Sequence, residues 1–481
     1  MRGPPVFFLL LFTIPPVHYK IIFVEFCLFR LEGGDLSRKK EVDRGREITP
    51  GSRADLRTRK RRKRSGVSGF FKSRTFLIAL ALVIIAAAAA AGVLIMREKG
   101  ASASQADSGE IEMTGVTTQS GADVNEIKVE TPLASATDQI VASMSLEEKI
   151  GQMLMIGFEG PEPDVAITSA IKDKHVGAVI LFTRNISSNA QVAQLDTSLQ
   201  ALAVQANQPA KLMIAVDQEG GKTRRFENIG PFYSQPMIGE MSDAAPDVAQ
   251  QQASSAARDL KKMGINTNLA PVADVSSGWG TIMDGRSFSK DTAFTAELTG
   301  RAIKGYNNAT TISCAKHFPG HGSADNDSEK ALPTVSSDLA TIQTTDLPPF
   351  QAAIAEGVPM IMVAHLIVPA LDATETPSSL SKPIVTDLLR TQMAFPGVII
   401  TDDMEMGAIK ETETMGTAAV AAVLAGNDML IVAHTAPMQN EAYDAILAAV
   451  KSGKIKEADI DKSVARILDM KKKYRLEKST G

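Results

Sequence analysis

Beyond about residue 138, apolar residues collect in eight short runs, at 153–156, 178–182, 212–216, 267–270, 311–314, 360–363, 398–400 and 429–432. Short apolar runs without polar alternation predict strands buried on both faces. Between most of them lie longer stretches with helical patterning, such as 189–205, 246–263 and 292–307. Ser145-Leu146-Glu147-Glu148 has the form of a capping box and predicts a helix start there. Strands alternating with helices predict a parallel sheet. Eight such units predict an α/β fold of the closed (β/α)8 TIM-type, with a doubly wound open sheet as the alternative. No Gly-x-Gly-x-x-Gly loop follows a run, which weakens any dinucleotide reading.

The first 137 residues are patterned differently. Residues 75–96 carry no charge and suffice for one membrane-spanning helix. The basic run Arg57-Thr58-Arg59-Lys60-Arg61-Arg62-Lys63-Arg64 precedes them, and only Arg97 and Lys99 follow closely. The positive-inside rule then predicts a single-pass signal anchor in the cell membrane, with residues 1–74 cytoplasmic and the rest extracytoplasmic. Residues 97–137, rich in Ser, Thr, Ala, Gly and acidic residues, read as a flexible linker to a globular body at 138–481. The first 30 residues make a poor span, because Pro15, Pro16, Lys20 and Glu25 interrupt them. One reading of this is a start site at Val42 or Leu56 through a non-Met codon.

Charge and cysteine narrow the function. Residues 1–74 hold 18 Lys/Arg against 7 Asp/Glu, so the overall net charge of −4 leaves −15 for the remainder. That balance speaks against nucleic acid as a partner of the body, and the basic run beside a span reads as topogenic charge. Cys27 and Cys314 fall on predicted opposite sides of the membrane, so no disulfide is expected, and Cys314 reads as a small buried hydrophobe.

Barrel chemistry gathers at the C-terminal ends of the strands. Behind the third run stands Asp217-Gln218-Glu219-Gly220-Gly221. Behind the fourth come Asp274 and then Gly285-Arg286-Ser287-Phe288, and behind the fifth Lys316-His317-Phe318-Pro319-Gly320-His321-Gly322. His365, Asp402-Asp403 and His434 follow the sixth, seventh and eighth. So many polar groups at strand ends are costly unless a ligand or a hydrogen-bond network meets them. His317 and His321 lie four apart, but Pro319 and Gly320 between them exclude a regular helix, and no metal site is expected.

These motifs, in this order and at this spacing, resemble family 3 glycoside hydrolases, specifically the single-barrel β-N-acetylhexosaminidase branch, over about residues 140–475. The resemblance implies a carbohydrate substrate, no cofactor, and a retaining mechanism with Asp402 as nucleophile. It further implies that Asp217 accepts hydrogen bonds from sugar hydroxyls while Arg286, Lys316 and His317 donate to them, with Glu219 a weaker candidate. The expected substrates are cell-wall fragments with a terminal GlcNAc. The β-glucosidases of the family are an alternative, although the chain has little beyond the eighth run for their second domain.

Three positions depart from the family pattern: Ser323 and Ala324 stand where the branch carries Asp and Thr, and Glu329 where it carries His. In that branch the loop after the heptapeptide carries an Asp-Ser-His acid/base pair; here the register reads Asp327-Ser328-Glu329. Three readings stay open. Glu329, flanked by Asp327, is itself the acid/base. Glu405 does the work instead. Or the chain is a diverged glycan-binding member with weak activity.

Overall fold

The computed structural model describes residues 135–277 and 283–478. The predicted span at 75–96, the basic segment before it and nearly all of the linker lie outside the described residues. Among the described residues no helix is long and apolar enough to cross a membrane.

Eight parallel strands form a closed barrel in sequence order. They are β1 (Leu154–Ile156), β2 (Ala178–Ile180), β3 (Met213–Val216), β4 (Thr267–Asn268), β5 (Ile312–Phe318), β6 (Met360–Val363), β7 (Val398–Asp403) and β8 (Met429–Val432). Closure is direct, because Leu154, Met155 and Ile156 of β1 pair with Leu430, Ile431 and Val432 of β8. An open doubly wound sheet has no such pairing, so that alternative falls away.

The predicted helices form where their signals stand. Ser145 caps helix Leu146–Gln152 through its side chain, and Glu148 reaches back to the Ser145 backbone. Helix Thr292–Asn308 buries Thr295, Leu298, Thr299, Ala302, Ile303 and Tyr306, a three-and-four spacing that sets one face on the barrel. Leu298 is fully buried, so truncating it to Ala costs about 2–5 kcal/mol.

β2 stops two residues short of its run, and three further strands differ from expectation, each for a local reason. β4 stops at Asn268, where the Ala270 N–H turns back onto the Asn268 carbonyl at 2.8 Å and Pro271 has no N–H to continue the ladder. β5 runs past Cys314 through Lys316 and His317, because both polar side chains find buried partners there. β7 likewise continues through Asp402 and Asp403. The fifth and seventh strands thus carry their chemistry inside the ladder rather than in the loops behind it. Cys314 is buried, as expected.

Candidate active site

The mouth of the barrel on its β3–β5 side is a closed network of charge. Lys316 Nζ lies 2.8 Å from both Asp217 Oδ1 and Glu219 Oε1. Arg286 grips Glu219 through two nitrogens, at 2.7 and 3.0 Å, and Arg225 Nη2 reaches Asp217 Oδ2 at 2.8 Å. Burial opposes ionisation of Asp217 and Glu219, but Lys316 outweighs it, helped by Arg225 at the first and Arg286 at the second, and both carboxyls sit below their usual range. Burial likewise opposes the charge of Lys316, yet Asp217 and Glu219 raise its affinity for its proton.

Asp274, fully buried, organises the imidazole end of this network. Its Oδ2 is 2.7 Å from His317 Nδ1, and its Oδ1 accepts the His321 backbone N–H at 2.7 Å. The other ring nitrogen of His317 stands 3.4 Å from Arg286 Nη2. His321 Nε2 meets Ser328 Oγ at 3.0 Å, which ties the loop behind β5 to the strand end. His321 is therefore an anchor, and burial, then His317, disfavours its charged form.

The β7–β8 side is built from carboxylates. Asp402 and Asp403 end β7, and Asp402 Oδ1 accepts the Asp403 N–H at 2.8 Å. The loop carrying Glu329 is docked beside them by two backbone bonds, Gly407 N–H to the Glu329 carbonyl and Ala408 N–H to the Ser328 carbonyl, each 3.2 Å. Gly407 is required by this approach, since a Cβ there would stand 2.7 Å from the Lys330 carbonyl oxygen and 2.9 Å from that of Glu329. Asp327 Oδ1 accepts the Glu329 N–H at 3.0 Å, so Asp327 shapes the loop backbone. Desolvation, then the charges of Asp402, Asp403 and Asp327, push the Glu329 carboxyl above its usual range. Such a group keeps its proton further toward neutral pH, which suits an acid.

Glu405 does not fit that role. Its side chain is fully buried and accepts the backbone N–H groups of His434 and Thr435 at 2.7 and 2.8 Å and the Thr435 hydroxyl at 2.9 Å. It fixes the β8 loop and has no free face for a substrate.

Residues 145–470 match the profile of the glycosyl hydrolase family 3 N terminal domain. The chain belongs to glycoside hydrolase family 3. Beta-hexosaminidase A of Pseudoalteromonas piscicida is 32% identical over 367 residues, which cover 69% of this chain and 61% of that protein. An uncharacterized secreted glycosyl hydrolase of Arthroderma benhamiae is 34% identical over 332 residues, covering 68% and 93%. Among solved structures, a family 3 β-N-acetylglucosaminidase from Paenibacillus sp. str. FPU-7 superposes with a TM-score of 0.68 at 37% identity, covering 70% of this chain and 64% of that one. The chain thus spans less than two thirds of the Pseudoalteromonas and Paenibacillus proteins.

Within this family 3 barrel, Asp217, Arg286, Lys316 and His317 converge as one network, and Asp402, Asp327 and Glu329 as a second. Sequence reasoning underrated Glu219, which bridges Lys316 and Arg286 at the centre of the first. It passed over Arg225, whose only signal was a cation eight residues beyond Asp217, and it gave Asp274 no role. His365 is a buried strand-end residue, 2.7 Å from Ser379 Oγ and 3.1 Å from the Asp403 carbonyl. His434 is likewise hydrogen-bonded at its strand end.

Proposed function

We propose that this family 3 barrel is a retaining, exo-acting β-N-acetylglucosaminidase that releases terminal GlcNAc from cell-wall or related glycans. The observation that carries this reading is the docked loop, which brings a Glu329 carboxyl with raised proton affinity under the influence of Asp402. A retaining glycosidase needs such a pair, an ionised nucleophile and a protonated acid. The names of the Pseudoalteromonas and Paenibacillus relatives support GlcNAc as the sugar.

In the first step a carboxylate oxygen of Asp402 bonds to the anomeric carbon, the glycosidic C–O bond breaks, and the leaving oxygen takes the Glu329 proton. In the second, Glu329 takes a proton from water, the water oxygen bonds to the anomeric carbon, and the Asp402 ester bond breaks. Asp217, Arg286, Lys316 and His317 grip the hydroxyls of the terminal sugar. On the same reading, residues 75–96 anchor the protein in the membrane with the barrel outside.

The test offers the chain an aryl β-GlcNAc and an aryl β-glucoside side by side, with Asp402→Asn as control and an activated fluoro-sugar as covalent trap. Asp402-dependent release from the GlcNAc compound and labelling of Asp402 are expected. Release mainly from the glucoside would overturn the sugar assignment. Release from neither would make the barrel a glycan-binding protein.

A further inference from the structure

Two neighbours decide which nitrogen of His317 carries the proton. The side chain, on β5, is 5% exposed, and each ring nitrogen meets one partner. Nδ1 stands 2.7 Å from Asp274 Oδ2, and Nε2 stands 3.4 Å from Arg286 Nη2. A guanidinium has N–H donors and no acceptor. Nε2 must therefore offer its lone pair, which leaves the single proton of the ring on Nδ1, donated to Asp274. The other forms fail on the same two contacts. With the proton on Nε2, two donors would face each other at Arg286, and Nδ1 would turn a lone pair toward a carboxylate. An imidazolium would set a second cation against the guanidinium.

Asp274 holds the ring in this state by more than one bond. Its side chain is fully buried. Oδ1 accepts the His321 backbone N–H at 2.7 Å, and the His317 backbone N–H lies 3.2 and 3.3 Å from the two carboxylate oxygens. The carboxylate thus acts as an acceptor in every one of its contacts. The His321 ring meets that of His317 edge-on, with centres 5.9 Å apart. On the far side Arg286 is fixed to Glu219 by two bonds, at 2.7 and 3.0 Å. Neither partner of the ring is free to swing away, so the pattern of donor and acceptor at the barrel mouth is set before a sugar arrives.

We propose that Asp274 is a positioning residue that fixes the tautomer of His317, so that His317 Nε2 meets the sugar as an acceptor beside the Arg286 donor. The proposal rests on the sugar-gripping role given above to Arg286 and His317. The family resemblance implied a donor at His317, and the two contacts of the ring reverse that sign. An acceptor and a donor 3.4 Å apart can share one hydroxyl, whose O–H points at Nε2 while its oxygen accepts from Arg286. The pair therefore reads a hydroxyl as donor and acceptor at once. It discriminates against a substituent of the same size that can only accept.

The experiment has one arm without substrate and one with it. The full chain is labelled with nitrogen-15 at its six histidines, and the His317 ring is assigned by nuclear magnetic resonance as the signal lost in His317→Gln. A protonated Nδ1 and an unprotonated Nε2 are expected. A proton on Nε2, or on both nitrogens, overturns the proposal whatever the activity. The second arm uses Asp274→Asn, whose oxygen still accepts the His321 N–H while its amide donates to Nδ1 and drives the proton to Nε2. Aryl β-GlcNAc substrates with fluorine in place of the 3-, 4- or 6-hydroxyl are compared with the parent compound in both proteins. At one position fluorine should cost the wild type about tenfold more in kcat/KM than it costs the variant, which offers only donors there. The electronic effect of fluorine on the reaction is common to both and cancels. An equal penalty in both proteins at all three positions would make Asp274 a structural residue only and overturn the proposal. If Asp274→Asn does not fold, the wild-type nitrogen spectrum still decides the tautomer. If the wild type cleaves no aryl glycoside, the proposed activity fails and the sugar contact with it, and the spectrum alone judges the role of Asp274.

Discussion

On the β3–β5 side of the barrel mouth, the Lys316 and Glu219 side chains are 3% and 2% exposed, and each charge meets an opposite one within 3 Å. On the β7–β8 side, Asp402, Asp403 and Asp327 act on Glu329 as like charges, and the Glu329 backbone is held more firmly than its carboxyl. Paired buried charges are rigid and hold their ionisation state, which is what gripping sugar hydroxyls requires. Like charges around a carboxyl keep its proton on toward neutral pH, which is what donating a proton there requires. If, as proposed, the first side recognises the sugar and the second does the chemistry, mutations on them should fail in different ways.

The largest effect is expected at Asp402. Asp402→Asn should lower kcat by about a thousandfold or more, with little change in unfolding free energy, as kinetics and urea titration on the same preparation would reveal. Lys316→Met should do the reverse in emphasis. It leaves Asp217 and Glu219 buried with only Arg225 and Arg286 to meet them, and stability should drop on the order of 3–5 kcal/mol, visible as a lower urea midpoint whatever happens to activity. Equal stability loss in both variants would erase the contrast between the two sides.

Gly407→Ala tests the seam where the Glu329 loop docks. The new methyl group displaces the loop carbonyls, and kcat/KM should fall about tenfold for poor leaving groups, and less for activated aryl glycosides that scarcely need an acid. Comparing the two substrate classes in one variant is the measurement, and equal losses would detach the loop from proton transfer.

The smallest effects are in the pH dependence of stability. Asp217, Glu219 and Asp274 titrate lower when folded than unfolded. Their stabilisation is therefore complete above the unfolded carboxylate range and is lost as the pH falls through the lower folded values. Glu329 runs the other way, since its folded form holds the proton more tightly, and the stability it lends disappears as the pH rises through its raised value. Thermal unfolding should show a steep loss in strong acid for the wild type and a slight gain near neutrality for Glu329→Gln.

Much of this was legible in the chain because buried parallel strands are short apolar runs and their ends carry the polar chemistry. Helix boundaries followed local capping, as at Ser145 and Glu148. The misjudged ends of β5 and β7 have one cause. Lys316, His317 and Asp403 look like loop residues until their partners are known, and those partners lie far away in sequence: Asp217 is 99 residues from Lys316 and Asp274 43 from His317. For the same reason Glu219 and Arg225 were undervalued, and the docking of Glu329 onto Gly407 could not be read at all. Glu329 itself was visible only as a departure from a pattern; what the fold adds is the company of carboxylates that gives the substitution a chemical sense.

Gly407 also bears on how such barrels can be recombined. The loop at 323–331 and the turn after β7 are fitted to each other backbone to backbone, with no side-chain volume between them. They therefore form a single heritable cassette, although some 80 residues separate them in the gene. A chimera that takes its 323–331 loop from one relative and its β7 segment from another should carry a misfitted seam, whereas exchange of both segments together should preserve it.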